Sequence, residues 1–368
     1  MAKKVRHVLG ISGGKDSAAL AIYMHDKYPE LDIEYYFCDT GKELDETMHL
    51  IRNLEICFGK EIIRLSAIKN DHFAPFDYFY KSYKGYLPSS NARWCTKKLK
   101  LEPFEEFIGD DLAISYVGIR GDEDREGYIS TKPNIQSIFP FRKNIWSFDV
   151  LNNVFDNNHL KKLLTVCESL SKHSKIQQAI DIIKVPKSAK FSFSKKINSL
   201  LSIDIHLFNK IVFEYLRTTA YPSSQLKDFF LLSNEDNLVM SDIFRILNDS
   251  GIGVPAYYNK VIFEVDGQKG EYARSRSGCF FCFFQQKIEW IWLYEQHPDL
   301  FRKAIEYEKE GYTWMQEERL EDLIKPDRLN QIKLSAIKTN NNKPKTNSPY
   351  LLDKLREAEG IICANCFI

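Results

Sequence analysis

The chain has 368 residues, with 51 Lys and Arg against 50 Asp and Glu and a formal net charge of +1. This length allows a full hydrophobic core, and the near-neutral charge argues against a protein that coats DNA, so any nucleic-acid contact would come from a local patch. No segment approaches about 18 apolar residues, and the basic start runs directly into a strand-length apolar stretch instead of a signal peptide. We therefore expect a soluble, cytoplasmic protein that has no membrane partner.

Short apolar runs alternate with helical patterns over the first 150 residues. The predicted strands cover residues 6–11, 33–38, 61–65 and 113–118, and the predicted helices lie near 16–28, 43–58 and 97–107. This βαβ series predicts an α/β fold, with a parallel twisted sheet and helices on both faces.

Residues 12–17, with the sequence SGGKDS, lie between the first predicted strand and helix; we call them the nucleotide loop. Gly13 and Gly14 let the backbone approach an anion at the positive end of the helix dipole. Lys15 adds a point charge, and Asp16 has the oxygen ligands that Mg²⁺ prefers. The hydroxyls of Ser12 and Ser17 add hydrogen-bond donors. The spacing differs from a Walker A loop but still predicts a nucleotide-phosphate site.

Two more segments follow predicted strand ends. Asp39, Thr40 and Gly41 come after the second strand, and residues 118–120, which include Gly118 and Arg120, come after the fourth. Because ligands of open parallel sheets bind beyond the carboxyl ends of the strands, these segments and the nucleotide loop predict one ATP site.

Several segments resemble those of a known family. The nucleotide loop resembles the PP-loop of the ATP-pyrophosphatase superfamily, and residues 39–47 resemble the D-T-G…E-T element of its phosphoadenosine phosphosulfate (PAPS) reductase-like branch. Further matching segments are residues 93–103 (R-x-C…K-x-x-P), 118–123 (G-x-R-x-x-E), 140–150 (P…W…DV) and 255–282 (P-x-Y…G-C-x-x-C). The resemblance covers residues 5–154 and 250–310.

The resemblance implies an adenine nucleotide α-hydrolase-like fold and cleavage of ATP between the α- and β-phosphates, which leaves AMP on a substrate oxygen. It also implies that Asp39, Thr40 and Gly41 cradle the adenosine, while Lys15 and the loop amides bind pyrophosphate, whose charge Mg²⁺ offsets. Candidates for the acceptor phosphate and the transition state are Arg93, Lys100, Arg120 and Arg125. For each of these arginines, a structural ion pair is the alternative role.

The cysteines divide by context. Cys279 and Cys282 form a C-x-x-C pair among phenylalanines and close to Arg274 and Arg276, which predicts an iron–sulfur cluster, with zinc or a redox dithiol as alternatives. The resemblance adds Cys95 as a ligand, although the family has a Cys-Cys pair where this chain has Trp94 and Cys95. A terminal pair, Cys363 and Cys366, either offers Cys366 as the fourth ligand or forms a mobile thiol pair that accepts sulfur. The remaining cysteines, Cys38, Cys57 and Cys167, are predicted to be small buried apolar residues.

Residues 155–248 interrupt the family pattern with a lysine-rich stretch that has helical periodicity near 157–183 and 205–217. They predict an inserted helical subdomain whose basic face either binds a phosphate backbone or is merely solvated. Its most basic part holds Lys184, Lys187, Lys190, Lys195 and Lys196 around Phe191 and Phe193. The predicted organisation is an ATP-binding domain (1–154), the insertion (155–248), a cysteine-containing part (249–335) and a linker with the terminal pair (336–368).

The C-terminal region narrows the function. The Glu-Cys-Gly element of PAPS reductases is absent, and residues 290–308 are similar to the PAPS-reductase-like proteins of DNA phosphorothioation, the DndC and SspD group. This implies ATP-dependent activation of a DNA phosphate for sulfur incorporation in antiphage defence. The implied partners are DNA, a sulfur donor such as a cysteine desulfurase, and other proteins of a modification complex. The alternatives are a reductase of an adenylylated sulfur compound, an RNA-thiolating enzyme and a non-enzymatic nucleotide sensor.

Overall fold

The computed structural model describes residues 4–69, 72–123, 125, 130–315 and 318–341. Its centre is a five-stranded parallel sheet with the order β3-β2-β1-β4-β5. The strands are β1 (Arg6–Gly10), β2 (Ile33–Asp39), β3 (Ile63–Ser66), β4 (Ala113–Tyr116) and β5 (Ile135–Ile138). The first four correspond to the predicted strands, whereas β5 was not predicted.

Helices cover both faces of the sheet, as predicted from the βαβ pattern. Alternate residues of β1 and β2 point to opposite sides: Val8 and Tyr36 pack with Phe104, and Leu9 and Phe37 belong to the larger core on the other face. The helices of this part are α1 (Lys15–Lys27), α2 (Asp45–Phe58), α3 (Pro75–Ser82), α4 (Trp94–Thr96) and α5 (Glu102–Ile108), with a π-helical turn at Lys97–Leu101 between the last two. The predicted α/β fold class is therefore confirmed.

The insertion is helical, and its apolar side chains belong to the same core as α1. Leu163, Ile183, Ile211 and Leu247 lie in one continuous buried cluster with Leu20. Its helices, together with α6 just before them, are α6 (Phe148–Val154), α7 (Leu160–Ser169), α8 (Ile176–Lys184), α9 (Phe193–Ile203), α10 (Ile205–Leu216) and α11 (Met240–Asp249), with 3-10 turns at Asn157–His159, Pro222–Gln225 and Phe230–Ser233. The insertion therefore extends one face of the sheet's core.

The C-terminal part has its own core. A 3-10 turn (Ala256–Tyr258) leads into an antiparallel hairpin of β6 (Val261–Val265) and β7 (Gln268–Tyr272), followed by α12 (Lys287–Gln296), α13 (Pro298–Ile305), α14 (Leu320–Leu323) and α15 (Pro326–Asn341). Phe76 and Trp94 from the first part are buried in this cluster, with Phe281 and Trp314. Residues 75–94 therefore join the C-terminal part to the sheet.

The structure tests the predicted burial of three cysteines. Cys38 and Cys167 are buried, as predicted. The prediction is wrong for Cys57, which lies with the exposed Ile56 on the side of α2 that faces solvent, whereas the next residue, Phe58, packs against the core. None of the described helices is both long enough and apolar enough to cross a membrane.

Candidate active site

The nucleotide loop forms a closed turn at the N-terminus of α1. The Ser17 hydroxyl accepts a hydrogen bond from the Ser12 backbone N–H (3.1 Å) and donates to the Gly14 carbonyl (3.1 Å). The hydroxyl oxygens of Ser12 and Ser17 are also 3.1 Å apart. These two serines therefore fix the shape of the loop, while the first N–H groups of α1 lie at the end of the helix that favours anions.

Both glycines of the loop are needed because other elements approach its backbone closely. Gly13 has a φ of +77°, and a Cβ there would lie 2.3 Å from Cγ2 of Thr47. A Cβ on Gly14 would lie 2.7 Å from the Ser277 hydroxyl oxygen. The loop is therefore packed between α2 and residues 274–284, which we call the cysteine segment.

Tyr257 closes the loop from a third side. Its hydroxyl donates to the Gly13 carbonyl at 2.5 Å, and burial raises the pKa of this phenol to about 12, so that it remains a donor at neutral pH. Thr47, Tyr257 and Ser277 lie within the family-like segments of the sequence, but sequence reasoning assigned them no role. Contacts between residues this far apart in the chain leave no local pattern.

Lys15 and Asp16 are both buried, with exposed fractions of 8% and 4%. The Lys15 ammonium lies 3.4 Å from the Asp16 carboxylate and 4.7 Å from the centre of the Tyr258 ring. The other Asp16 oxygen is 2.6 Å from the Arg120 guanidinium. Lys15, the predicted phosphate ligand, is therefore held by a carboxylate that is itself held by an arginine.

The segment that follows β4 meets the nucleotide loop. A Cβ on Gly118 would lie 3.0 Å from the Asp16 carbonyl oxygen, so the two backbone segments approach each other closely here. Arg120 faces the carboxylates of Asp16, Asp122 (2.9 Å) and Glu123 (3.1 Å). Arg125 also pairs with Glu123, at 2.9 Å. In this structure both arginines form ion pairs, which is the alternative to direct binding of an acceptor phosphate.

The segment that follows β2 lies at the same edge of the sheet as the nucleotide loop, and it contacts the cysteine segment. The Asp39 carboxylate accepts from the Gly41 N–H at 2.7 Å. The Thr40 hydroxyl donates to Glu43 at 2.5 Å and lies 3.2 Å from the Cys279 sulfur. Glu43 and Cys279 also form a strand-like bridge. Thr40 therefore belongs to the predicted adenosine segment and also contacts the predicted metal segment.

Three of the predicted metal ligands line one small cavity. Cys95, Cys279 and Cys282 surround a space of about 50 Å³, together with Lys100, Thr40 and several phenylalanine rings. Burial raises the pKa of the Cys279 thiol to about 12; the Glu43 carboxylate adds to this effect, and the Lys100 ammonium opposes it. Lys100 is therefore placed beside the cysteines.

The donor type at this cavity fits zinc or an iron–sulfur cluster, since both take thiolates within an apolar surround. However, no group of three Cys, His, Asp or Glu side chains among the described residues is positioned to hold a metal ion. Cys363 and Cys366 lie outside the described residues. The metal site therefore remains a prediction.

Arg93 contacts the cysteine segment. Its Nε–H donates to the Ser90 carbonyl at 3.2 Å, and its guanidinium lies 5.1 Å from the centre of the Phe284 ring. Arg276 lies 5.3 Å from the same ring. Arg93 also lines a cleft of about 530 Å³ beside the cysteine cavity.

The predicted basic surface lies on the connection between α8 and α9. Its lysines are Lys184, Lys187, Lys190 and Lys195, of which all but the partly exposed Lys187 are exposed. The ammonium groups of Lys187 and Lys195 lie 5.3 and 6.0 Å from the rings of Phe193 and Phe191. Among the described residues, none of the four lysines has an ion-pair partner. This surface keeps its positive charge available to an anionic ligand.

The prediction that Lys196 belongs to this surface is wrong. The side chain is 2% exposed, and its ammonium donates to the carbonyls of Ile183 (2.9 Å) and Val185 (2.7 Å). These carbonyls lie at the C-terminal end of α8, where they have no partner within the helix. Lys196 therefore caps a helix, and burial lowers its pKa to about 8.

Comparison with known proteins gives a match to one family model. Residues 6–185 match the model described as phosphoadenosine phosphosulfate reductase domain. This part of the chain, from β1 to α8, is therefore similar to PAPS reductase domains. The cysteine segment lies beyond the matched residues.

Two uncharacterized proteins of Methanocaldococcus jannaschii are similar to parts of the chain. One is 32% identical over 38% of this chain and 30% of its own length, and the other is 28% identical over 40% of this chain and 36% of its own length. The chain thus spans about a third of the length of the curated relatives that it matches.

Proposed function

We propose that the protein cleaves ATP to AMP and pyrophosphate and transfers the adenylyl group to a DNA backbone phosphate, which is thereby activated for sulfur incorporation. One observation carries this proposal. The cysteine segment touches the nucleotide loop through Ser277 and Gly14, and it touches the segment after β2 through Cys279 and Thr40. The residues proposed for ATP chemistry and those proposed for thiol chemistry therefore lie together, which suits a reaction in which one step prepares the substrate for the other.

The residues of the nucleotide loop suit the first step. A non-bridging oxygen of the acceptor attacks the α-phosphorus of ATP, and the bond from that phosphorus to the pyrophosphate oxygen breaks. Lys15 and the first N–H groups of α1 stabilise the leaving pyrophosphate. Mg²⁺ would offset its remaining charge, with the Asp16 carboxylate as a protein ligand. The Arg120 ion pair holds that carboxylate in place.

The cysteine cavity suits the second step. A phosphodiester oxygen is a poor leaving group, but the same oxygen leaves readily as part of AMP. A sulfur nucleophile can then form the phosphorus–sulfur bond as AMP departs. Cys95, Cys279 and Cys282 would hold a cluster or zinc ion that binds or orients this sulfur. The sulfur itself comes from a separate donor, such as a cysteine desulfurase. Because this donor carries the sulfur as a persulfide, an external dithiol supplies the two electrons that cleave the S–S bond and release the sulfur as sulfide, and the dithiol becomes a disulfide.

Product analysis tests the nucleotide chemistry. We expect ATP labelled at the α-phosphate to yield labelled AMP with equal pyrophosphate, and Lys15→Ala to reduce the rate at least about 100-fold, because it removes a charge that faces the leaving group. Lys303→Ala is the matched control, since this lysine is exposed on α13. Formation of ADP and phosphate as the sole products would contradict the proposal.

A four-lysine variant tests DNA as the acceptor. Replacing Lys184, Lys187, Lys190 and Lys195 by Gln should weaken duplex DNA binding and reduce the log–log salt slope by roughly 0.9 for each phosphate that these lysines neutralise in the wild type. A control variant carries the same change at exposed lysines on other elements: Lys260, Lys269, Lys303 and Lys325. Equal affinities and equal slopes in the two variants would show that the basic surface is only solvated.

The fate of sulfur in the host separates DNA modification from its alternatives. We expect phosphorothioate linkages in digested host DNA that disappear when the gene is deleted and return with the intact gene, but not with the Lys15→Ala gene. Loss of a thiolated RNA nucleoside would instead favour RNA thiolation. Loss of growth on sulfate with unchanged DNA would favour a reductase.

A further inference from the structure

Arg274 is a buried arginine with unused hydrogen-bonding groups. Its side chain is 2% exposed, and its Nη2 donates to the Cys279 carbonyl at 3.0 Å. Its Nε and Nη1 are buried and have no hydrogen-bond partner. Within the part of the chain that the structure describes, no carboxylate lies within ion-pair distance of this guanidinium.

This arrangement is unfavourable unless an anion is bound. A guanidinium is always charged in proteins, so burial cannot be accommodated by losing its proton. Burying an unpaired charge with unsatisfied donors is strongly destabilising, and such groups in folded proteins nearly always have a partner. The partner of Arg274 is therefore expected to be a negatively charged ligand.

The position of Arg274 indicates which ligand this is. Its backbone N–H donates to the Tyr257 carbonyl at 2.9 Å, and its guanidinium lies 6.0 Å from the centre of the Tyr257 ring. The hydroxyl of that same tyrosine donates to the Gly13 carbonyl. Three residues after Arg274, Ser277 packs against Gly14. Arg274 therefore lies on the side of the cysteine segment that covers the nucleotide loop.

We propose that Arg274 is a phosphate ligand that binds the pyrophosphate part of the nucleotide together with Lys15 and the loop amides. This inference rests on the proposed function of the nucleotide loop and adds a residue from outside the first 154 residues. Through its bond to the Cys279 carbonyl, the same side chain links bound phosphate to the position of the cysteine cavity. The chain thereby supplies an arginine from the cysteine segment to the ATP site.

The test compares two arginine-to-glutamine variants of the full chain. Inorganic pyrophosphate is titrated by calorimetry into the wild type, Arg274→Gln and the control Arg302→Gln, whose arginine is exposed on α13 and paired with Asp299. We expect Arg274→Gln to bind pyrophosphate at least about tenfold more weakly, because it can no longer form a charge-assisted hydrogen bond, and Arg302→Gln to bind like the wild type.

Thermal unfolding gives an independent measurement. Without ligand, Arg274→Gln should melt at the same temperature as the wild type or higher, because an unpaired buried charge has been removed. With saturating pyrophosphate, its rise in Tm should be smaller than that of the wild type. Arg274→Lys, which keeps the charge, should recover part of the affinity.

Other results would overturn the inference. If Arg274→Gln lowers Tm without ligand but keeps the wild-type affinity for pyrophosphate, the arginine has only a structural role. If it keeps that affinity but loses bound iron or zinc, the anion partner belongs to the cysteine cavity. If the wild type itself binds neither ATP nor pyrophosphate, the proposed function fails together with this inference, whereas the first two results leave that function standing.

Discussion

Replacing Gly13 by alanine tests whether the close packing around the nucleotide loop is required for ATP binding. The backbone there has a φ of +77°, and the new Cβ would lie 2.3 Å from Cγ2 of Thr47. The left-handed conformation costs an alanine about 1–2 kcal/mol, and relieving such an overlap costs about 1–3 kcal/mol. The loop can avoid both costs only by moving away from α2.

A displaced loop loses its alignment with the phosphates. If about 2–4 kcal/mol must be spent to restore the binding conformation, affinity for ATP falls roughly 30- to 1000-fold, since each 1.4 kcal/mol is a factor of ten. Calorimetry with a non-hydrolysable ATP analogue measures this decrease. Urea denaturation of the same samples separates it from a loss of global stability.

Two further variants divide the effect into its causes. Gly251→Ala introduces a Cβ at a φ of +75° where nothing lies within 4 Å, so it should show only the conformational cost and leave ATP binding unchanged. Thr47→Ser removes Cγ2, so the double variant Gly13→Ala with Thr47→Ser should recover part of the affinity that Gly13→Ala loses. Binding of the analogue by Gly13→Ala within about threefold of the wild type would refute the reasoning.

Three other predictions concern Lys196, the cysteines and the predicted metal. The pKa of Lys196 is about 8 in the folded protein, against an ordinary value of 10.5. The folded protein therefore releases this proton at a lower pH than the unfolded chain does. As a result, the free energy of unfolding of the wild type should rise by roughly 3 kcal/mol between pH 8 and pH 10.5. The urea midpoint of Lys196→Met should not rise over this pH range as that of the wild type does. If the urea midpoints of both proteins depend on pH in the same way, Lys196 is not a buried ammonium. Maleimide should label Cys57 in the native protein but Cys38 and Cys167 only after unfolding, as read by peptide mass spectrometry; equal labelling of all three would contradict the burial pattern. Replacing any one predicted metal ligand by serine should lower the amount of iron or zinc that purifies with the protein under anaerobic conditions; the four residues are Cys95, Cys279, Cys282 and Cys366. A variant that retains all of its metal shows that the replaced residue is not a ligand.

The strands and helices that position the site follow from local sequence patterns. Strands β1, β2 and β4 are largely apolar runs, and the predicted helices carry apolar residues at helical spacing, so the sequence of strands and helices along the chain could be predicted without a structure. Strand β5 could not, because Gln136 and Ser137 occupy its centre. Both are buried. The Gln136 side chain accepts from the Ser223 backbone N–H at 3.0 Å, a partner supplied by the insertion.

The surroundings of the charged residues, in contrast, could not be predicted from the sequence. A sequence pattern treats a lysine in a basic run as exposed, and it was wrong for Lys196, whose partners are carbonyls on a neighbouring helix. It also leaves open whether an arginine binds substrate or a carboxylate. Arg120 has three carboxylate neighbours, whereas Arg274, predicted from the sequence only to lie close to the thiols, has none among the described residues. Only the fold distinguishes these environments, because the partners come from distant parts of the chain.

The contacts between the nucleotide loop and the cysteine segment bear on the order of the two proposed steps, adenylylation and sulfur transfer. In the proposed reaction, a sulfur nucleophile that reached the site before ATP was cleaved would meet an unactivated phosphate. We therefore expect the nucleotide loop to control the position of the cysteine segment. The structure provides three connections of this kind: Ser277 against Gly14, Thr40 against Cys279, and Tyr257 against Gly13. Each joins a segment of the predicted nucleotide site to the region that ends in the C-x-x-C pair. A packed interface transmits small shifts instead of absorbing them. We therefore expect release of pyrophosphate from the loop to change the position of Cys279. That dependence favours adenylylation first and sulfur transfer second.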